Sequence, residues 1–435
     1  MTAGGQPLAK PLGLAELVAI ALGGMVGGGI FTILGISVDM IGAYTPLAIL
    51  IGGLLATLAA YSYIKLGTYY LDEGATYSFF KRTFPGSPFA ASLIGWWVIF
   101  GYISTLALYA YTFSAYALSD TALGGNEAAR KLVAGMVIAL FTSINLWSVK
   151  GMGRIEDAMV YTKLFFLLLI SLVLLGHGEA SLPVLLSRES FHPGDVLIVA
   201  ALTFVAYEGF QLVINAVNDM PAPARQIPRA IYTAIALAVL IYVVMALAAI
   251  MAIPFPDIIA NKEHALAAGA GDVMGAWGTR IVIAGALLAT SSAISGTLFG
   301  ASRQLAVIAS DGYFPAPLSR RRHGIPGPAI IAMAACAFGL ILAGSLEVIL
   351  EFGSVTFLLV SMLMAYANFR MRRQTRSSPL LAMTALLSLA AGTLLIFGYE
   401  LTHQPEQLAF IAVLYLLLTG FAWIFARHAR PAPQA

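Results

Sequence analysis

The sequence predicts an all-α integral membrane protein with twelve transmembrane helices. Three observations carry that reading. Of 435 residues, 60% are hydrophobic and only 10% are charged, and the mean hydropathy is +0.87; a soluble chain carries about 25% charged residues. Apolar segments of about twenty residues, the length that crosses hydrocarbon as a helix, recur twelve times. Two of them, the first and the sixth, are interrupted by glycine-bearing breaks, Gly27-Gly28-Gly29 and Tyr207-Glu208-Gly209-Phe210.

In chain order, the predicted spans are 14–41, 45–71, 89–118, 129–148, 155–176, 195–219, 229–253, 280–309, 328–344, 347–370, 379–399 and 407–427. The first is too long, and too poor in small-residue cleavage patterning, to be a removable signal. Between spans, the longest polar stretches are 177–194 and 254–279; the second, rich in Ala and Gly, is expected to form a short surface helix. No soluble domain fits, so 1–435 reads as one transmembrane domain, and the tail after Arg430 reads as disordered.

Lys and Arg set the orientation. With a cytoplasmic N-terminus, the inner regions carry sixteen of them, including Arg320–Arg322 and the Arg370–Arg376 cluster, and the outer regions carry five. Both termini are therefore expected in the cytoplasm of a cell whose plasma (inner) membrane holds the protein. The arginine runs read as topology determinants rather than nucleic-acid contacts. The one cysteine, Cys336, lies in an apolar run and allows neither an internal disulfide nor a cysteine metal site. His177, His192, His264, His323, His403 and His428 all fall in loops or tails without metal-ligand spacing, so no metal or other cofactor is expected and an enzyme is disfavoured. A channel is disfavoured too, because the spans hold too few polar residues for a continuous wet path.

Four charges fall within spans away from the outer surface: Lys65, Lys163, Glu208 and Arg303. Lys65 and Arg303 lie toward cytoplasmic ends, where long side chains reach water; Glu347 and Glu351, at the outer end of span 10, are expected to do the same. Lys163 sits about two and a half turns into span 5, where a lysine costs about 3 kcal/mol to insert. A buried ammonium gives up its proton readily, so Lys163 is a candidate proton carrier. Glu208 lies inside the span 6 break. It could bind a cationic substrate, serve as a second proton site or fill the pocket, or turn away to a structural partner.

Glycine costs about 1 kcal/mol in a helix interior relative to alanine. An opened helix in hydrocarbon is tolerated only where its backbone groups meet a cavity or ligand, and paired breaks mark transporter binding sites. The run Gly23-Gly24-Met25-Val26-Gly27-Gly28-Gly29-Ile30-Phe31 is not a dinucleotide fingerprint, which needs a strand before it. Glycine packing between helices explains small residues at a spacing of four, but not three in a row. In the alternative, a half-helix starts near Gly28 or Gly29 with free N–H groups and a positive dipole end, ready for a carboxylate. Carbonyls from Val205 to Glu208, with Ala206 and Tyr207 between, are then free to hold an ammonium group. One anion site and one cation site describe a receptor for a zwitterion, and an α-amino acid is the simplest.

With these residues, the chain resembles amino-acid permeases of the amino acid–polyamine–organocation (APC) superfamily, most of all the proton-coupled broad-specificity members. Gly27-Gly28-Gly29-Ile30-Phe31 resembles the family's span 1 break, and Phe204-Val205-Ala206-Tyr207-Glu208-Gly209-Phe210 its span 6 break. Gly151, Gly153, Arg154 and Glu156 followed by Lys163 resemble the entry to span 5; Pro228-Arg229-Ala230-Ile231 and Ala309-Ser310-Asp311-Gly312 resemble the stretches after spans 6 and 8. The resemblance implies a LeuT-like five-plus-five inverted repeat, with 14–176 and 195–370 as the repeats and helices 11 and 12 (379–427) peripheral. It implies that the Gly28 and Gly29 N–H groups hold the substrate carboxylate and that the Met25, Val205 and Glu208 carbonyls hold the amino group, with Gly27, Ile30 and Gly209 framing the site. It implies that Lys163 stands where sodium sits in sodium-coupled relatives, near the Gly23 carbonyl and the Ser291 and Ser292 hydroxyls. Two departures stand out: Pro221-Ala222-Pro223 replaces Asn-Pro after span 6, and Glu208 replaces an apolar residue or glycine. The implied function is secondary active symport of an amino acid with a proton across the bilayer; the alternative is amino-acid or polyamine exchange, with Glu208 favouring a cationic substrate.

Overall fold

Fifteen α-helices, numbered α1 to α15 in chain order, make up almost all of the computed structural model, which describes residues 12–147, 149–177, 193–261, 264–322 and 324–428. They are α1 (Leu14–Met25), α2 (Gly28–Ile41), α3 (Thr45–Tyr70), α4 (Ala75–Thr83), α5 (Pro88–Leu118), α6 (Glu127–Trp147), α7 (Val149–His177), α8 (Pro193–Leu202), α9 (Pro223–Ala252), α10 (Phe255–Ala260), α11 (Ala265–Ser310), α12 (Gly327–Ala343), α13 (Leu346–Arg370), α14 (Pro379–His403) and α15 (Pro405–His428). After α8, the chain continues in 3-10 turns over Thr203–Tyr207 and Phe210–Asp219. The expected disordered tail, and most of the polar stretch 177–194, lie outside the described residues.

Local chemistry explains where the helices start. Proline sits in the first turn of α3, α5, α9, α12 and α14, where its missing N–H has no intrahelical partner to lose. Ser87, Ser345 and Ser378 cap α5, α13 and α14 by accepting from the N–H groups of Ala90, Val348 and Leu381. Pro223 starts α9 six residues before the expected apolar boundary at Arg229. The expected surface helix in 254–279 is present as α10 and the first part of α11, which bends at Gly275 (φ 67°).

Among the described residues, ten runs are long and apolar enough to cross a membrane, Gly28–Tyr70 counting as one; α1 and α12 are shorter apolar helices. The break halves occupy the centre. Helix α1 packs against α7, α9, α11 and the Phe210–Asp219 turn, while α2 packs against α5, α8 and α11. Helix α13 lies between the Thr203–Tyr207 turn and α14, and α15 runs along α5 at the rim. On one end, Asp311 of the loop after α11 receives the Tyr77 hydroxyl (2.7 Å) and the Lys81 ammonium (2.8 Å) from α4. Lys65, near the same end, donates to the Arg376 carbonyl (3.1 Å), and Arg303 lies over the Phe299 ring.

One expectation fails. Glu351 does not reach water: it is 6% exposed and turned toward Glu400 of α14. The reason is the packing of α14 on α13, which covers the face that a free span 10 would leave open.

Candidate functional site

Helix α1 ends where its last N–H bonds run out. Val26 donates to Leu22 O (2.9 Å), Gly27 turns back to donate to Met25 O (3.0 Å), and Gly27 itself is extended at φ −128°, ψ −144°. Helix α2 then begins at Gly28 with no side-chain cap. The first N–H groups of a helix have no partner along its axis, and those of Gly28, Gly29 and Ile30 bond to no other described group. They are the positive end of the α2 dipole.

Opposite them is the second break. Glu208 is extended (φ −69°, ψ 140°) and Gly209 turns the chain at φ +122°. A side chain there would be strained, and it would also collide: a Cβ on Gly209 would stand 2.5 Å from Gly24 C. The glycines thus let two broken backbones touch. A Cβ on Gly29 would meet Ala206 Cα at 3.1 Å, and one on Gly28 would meet the Thr112 hydroxyl at 2.8 Å. Close packing, weighed in the sequence as the rival account of these glycines, therefore operates together with the break.

Several carbonyls of the breaks already have partners. The Tyr242 hydroxyl, from α9, reaches both Met25 O (2.8 Å) and Ala206 O (3.0 Å), bridging the two gaps. Val205 O accepts from Glu208 N (3.2 Å), and Gly24 O accepts from the Tyr109 hydroxyl (3.0 Å). Tyr207 points elsewhere, donating to Ile49 O of α3 (2.9 Å).

Glu208 is 2% exposed. Its Oε1 accepts from Gln211 Nε2, which also donates to the Tyr102 hydroxyl (2.8 Å), and Gln211 Oε1 accepts from Gly209 N (3.2 Å). Its Oε2 has no hydrogen-bond partner. Tyr63, Tyr102 and Tyr109 surround the carboxyl group.

Lys163 of α7 is completely buried. Its ammonium donates to Val26 O (2.6 Å), Gly23 O (3.1 Å) and Ser292 Oγ of α11 (3.4 Å). Gly23 and Val26 supply carbonyls at the C-terminal end of α1, where the helix dipole favours a cation. The charge therefore joins α7 and α11 to the broken end of α1. Gly23 and Ser292 are brought to it as the resemblance implies; no hydrogen bond from Lys163 to the half-buried Ser291 is among the described contacts. Of the expected span 5 entry motif, the side chains of Arg154 and Glu156 lie outside the described residues.

The family model for an amino acid permease matches residues 12–429, nearly the whole chain. The chain belongs to the amino acid permease family. This permease is 30% identical over 417 residues to an inner membrane transport protein of Escherichia coli, covering 94% of this chain and 95% of that protein. It is 24% identical to a branched-chain amino acid permease of Bacillus subtilis, over 73% of this chain and 71% of that one. To the human large neutral amino acids transporter small subunit 2 it is 29% identical, over 73% of this chain and 61% of that protein. Membership makes the permease a multi-pass membrane protein of a transporter family whose substrates are amino acids.

Four residues escaped the sequence reading. Tyr242 and Tyr109 sit in apolar runs without a motif, and Thr112 likewise. Gln211 had a visible signal, a polar side chain two residues beyond Gly209 inside a span.

Proposed function

We propose that this permease is a proton-coupled amino-acid symporter working by alternating access. Substrate carboxylate meets the N–H groups of Gly28 and Gly29, its amino group meets the break carbonyls of span 6, and Lys163 carries the coupling. One observation carries the reading: the completely buried Lys163 ammonium rests on the Val26 and Gly23 carbonyls at the very end of the broken helix. Charged, it braces α1, α7 and α11. Neutral, it gains a lone pair, keeps only two N–H donors and loses the charge assistance of its bonds, which are worth about 1.5–3 kcal/mol each when charged, so α1 is freed to move. Twelve spans, a five-plus-five repeat and cytoplasmic termini in the plasma membrane belong to the same reading, with no metal, cofactor or nucleic acid.

A cavity of ≈ 370 Å³ lined by Thr32, Tyr111, Arg130 and Glu347 opens one turn beyond Gly28 on α2. At the other end, Leu12 is tied to Asp219 (3.0 Å) and Gln226 (3.0 Å). The cavity is the approach from the outer side. The names of the relatives, a branched-chain permease and a large neutral amino acid transporter, favour neutral substrates.

Uptake into proteoliposomes with and without an inward proton gradient tests the coupling. Wild type is expected to concentrate substrate only with the gradient, and Lys163→Ala to lose that response. Uptake indifferent to the gradient, or unchanged in Lys163→Ala, removes the coupling role.

A second reading is exchange with a cationic amino acid or polyamine. The unpartnered Oε2 of buried Glu208 favours it. Counterflow that requires substrate on both sides, abolished for cationic but not neutral substrates by Glu208→Gln, is its sign.

A further inference from the structure

Two carboxyl groups lie buried against one another at a distance from the breaks. Glu351 sits one turn into α13 and is 6% exposed; Glu400, near the end of α14, is 1% exposed. Each is within hydrogen-bonding reach of the other. Glu351 Oε2 and both Glu400 oxygens meet no other donor. Buried carboxylates without donors are among the costliest groups in a protein, and two side by side cannot both be ionised at little cost. One proton turns the repulsion into an O–H···O⁻ bond between helices.

The surroundings favour a proton over any other ligand. Glu347, one turn earlier on α13, acts on Glu351, and Glu351 and Glu347 both act on Tyr399, beside Glu400 on α14. Asp195 at the start of α8 and Asp39 of α2 act on Tyr399 in turn, and His403 stacks on that ring at 4.6 Å. Glu406 opens α15, which packs along α14. A hard cation takes six or more oxygen ligands, and no group of three metal-capable side chains occurs among the described residues.

Position gives the pair a consequence. Helix α13 touches the span 6 break within a turn of Glu351. Ser354 Oγ donates to Leu202 O at the end of α8 (2.8 Å), and a Cβ on Gly353 would meet Val205 Cγ2 at 3.2 Å. From the other side, Ser104 of α5 donates to Ile349 O (2.6 Å). We propose that Glu351 and Glu400 form a proton-binding carboxyl pair that clasps α14 to α13 beside the span 6 break, and that loss of the shared proton to water opens the clasp. This site is separate from Lys163 and does not require the coupling reading to hold.

Purified full-length protein in detergent, without substrate, tests it by two readouts. Infrared titration of the wild type is expected to show a protonated-carboxyl band that disappears between neutral and alkaline buffer, and that is diminished in Glu351→Gln and Glu400→Gln. Melting temperature is expected to fall in wild type as pH rises above the ordinary carboxyl range and to level off where that band has gone, and to fall by no more than half as much in either variant, because the amide keeps a neutral hydrogen bond at every pH. Glu73→Gln, an exposed carboxyl after α3 that takes no part in the pair, is the control and keeps the wild-type profile. The same alkaline fall and the same band in both pair variants as in wild type overturn the proposal. So does recovery of the alkaline melting temperature by added calcium or sodium, which assigns the pair to a metal. Should one variant fail to purify, the other carries the test.

Discussion

Replacing Gly209 by alanine attacks the contact on which the paired breaks depend. The new Cβ would lie 2.5 Å from Gly24 C and 2.8 Å from Gly24 Cα and Met25 N, all backbone atoms that cannot rotate away. Ordinary contact begins at 3.4 Å, so the α1 end must retreat by about 0.9 Å, the difference between 3.4 and 2.5 Å. A backbone held at φ +122° adds its own strain. Overpacking costs about 1–3 kcal/mol and an unfavourable φ about 1–3 kcal/mol, which gives about 2–6 kcal/mol together. The retreat also pulls Met25 O from the Tyr242 hydroxyl and Val26 O from Lys163, so substrate affinity falls along with stability. The assay pairs thermal melting with substrate uptake. Gly339→Ala on α12, where an added methyl meets open space, is the control and is expected to be neutral or stabilising by up to about 1 kcal/mol. A Gly209→Ala protein with wild-type melting and uptake would refute the claim that the two breaks are in backbone contact.

Tyr242→Phe removes the one hydroxyl that bridges both breaks and leaves Met25 O and Ala206 O without it; it is expected to lower stability by about 1–3 kcal/mol and to weaken substrate binding, as measured by melting with and without substrate. His264, at the entry to α11 and outside the spans, is held below its ordinary value of 6.5 by burial first and by Arg130 second. Its neutral form is the one the fold prefers, so its contribution is complete above that ordinary value and is lost as pH falls through it toward the lowered folded value. Melting temperature is therefore expected to drop on mild acidification, and His264→Gln to flatten that drop.

Much of the site was legible because membrane insertion makes certain residues conspicuous. Three adjacent glycines in a span and a lysine deep in hydrocarbon both cost free energy that only a special role offsets, so Gly27–Gly29 and Lys163 stood out from the chain. Helix α2 starts at Gly28, as those glycines led one to expect, while the approach of Lys163 to Gly23 and Ser292 was implied only by the family resemblance. Tyr242, Tyr109 and Thr112 were silent, since a tyrosine or threonine in a span has a dozen unremarkable uses and only its neighbours across the bundle single one out. Glu351 was misjudged for the same reason: its distance from water is set by α14, some fifty residues away along the chain.

Alone, the amino-acid order determined that this chain lives in a bilayer, where its helices run, and which two of them open, because hydropathy, proline and glycine act over a turn or a span. Only the folded bundle decided that the two openings touch at Gly24 and Gly209, that Val26 accepts from the Lys163 ammonium, and that Glu351 meets Glu400. Those are contacts between segments far apart in sequence, and their energies depend on distances of a few ångströms that no local pattern encodes.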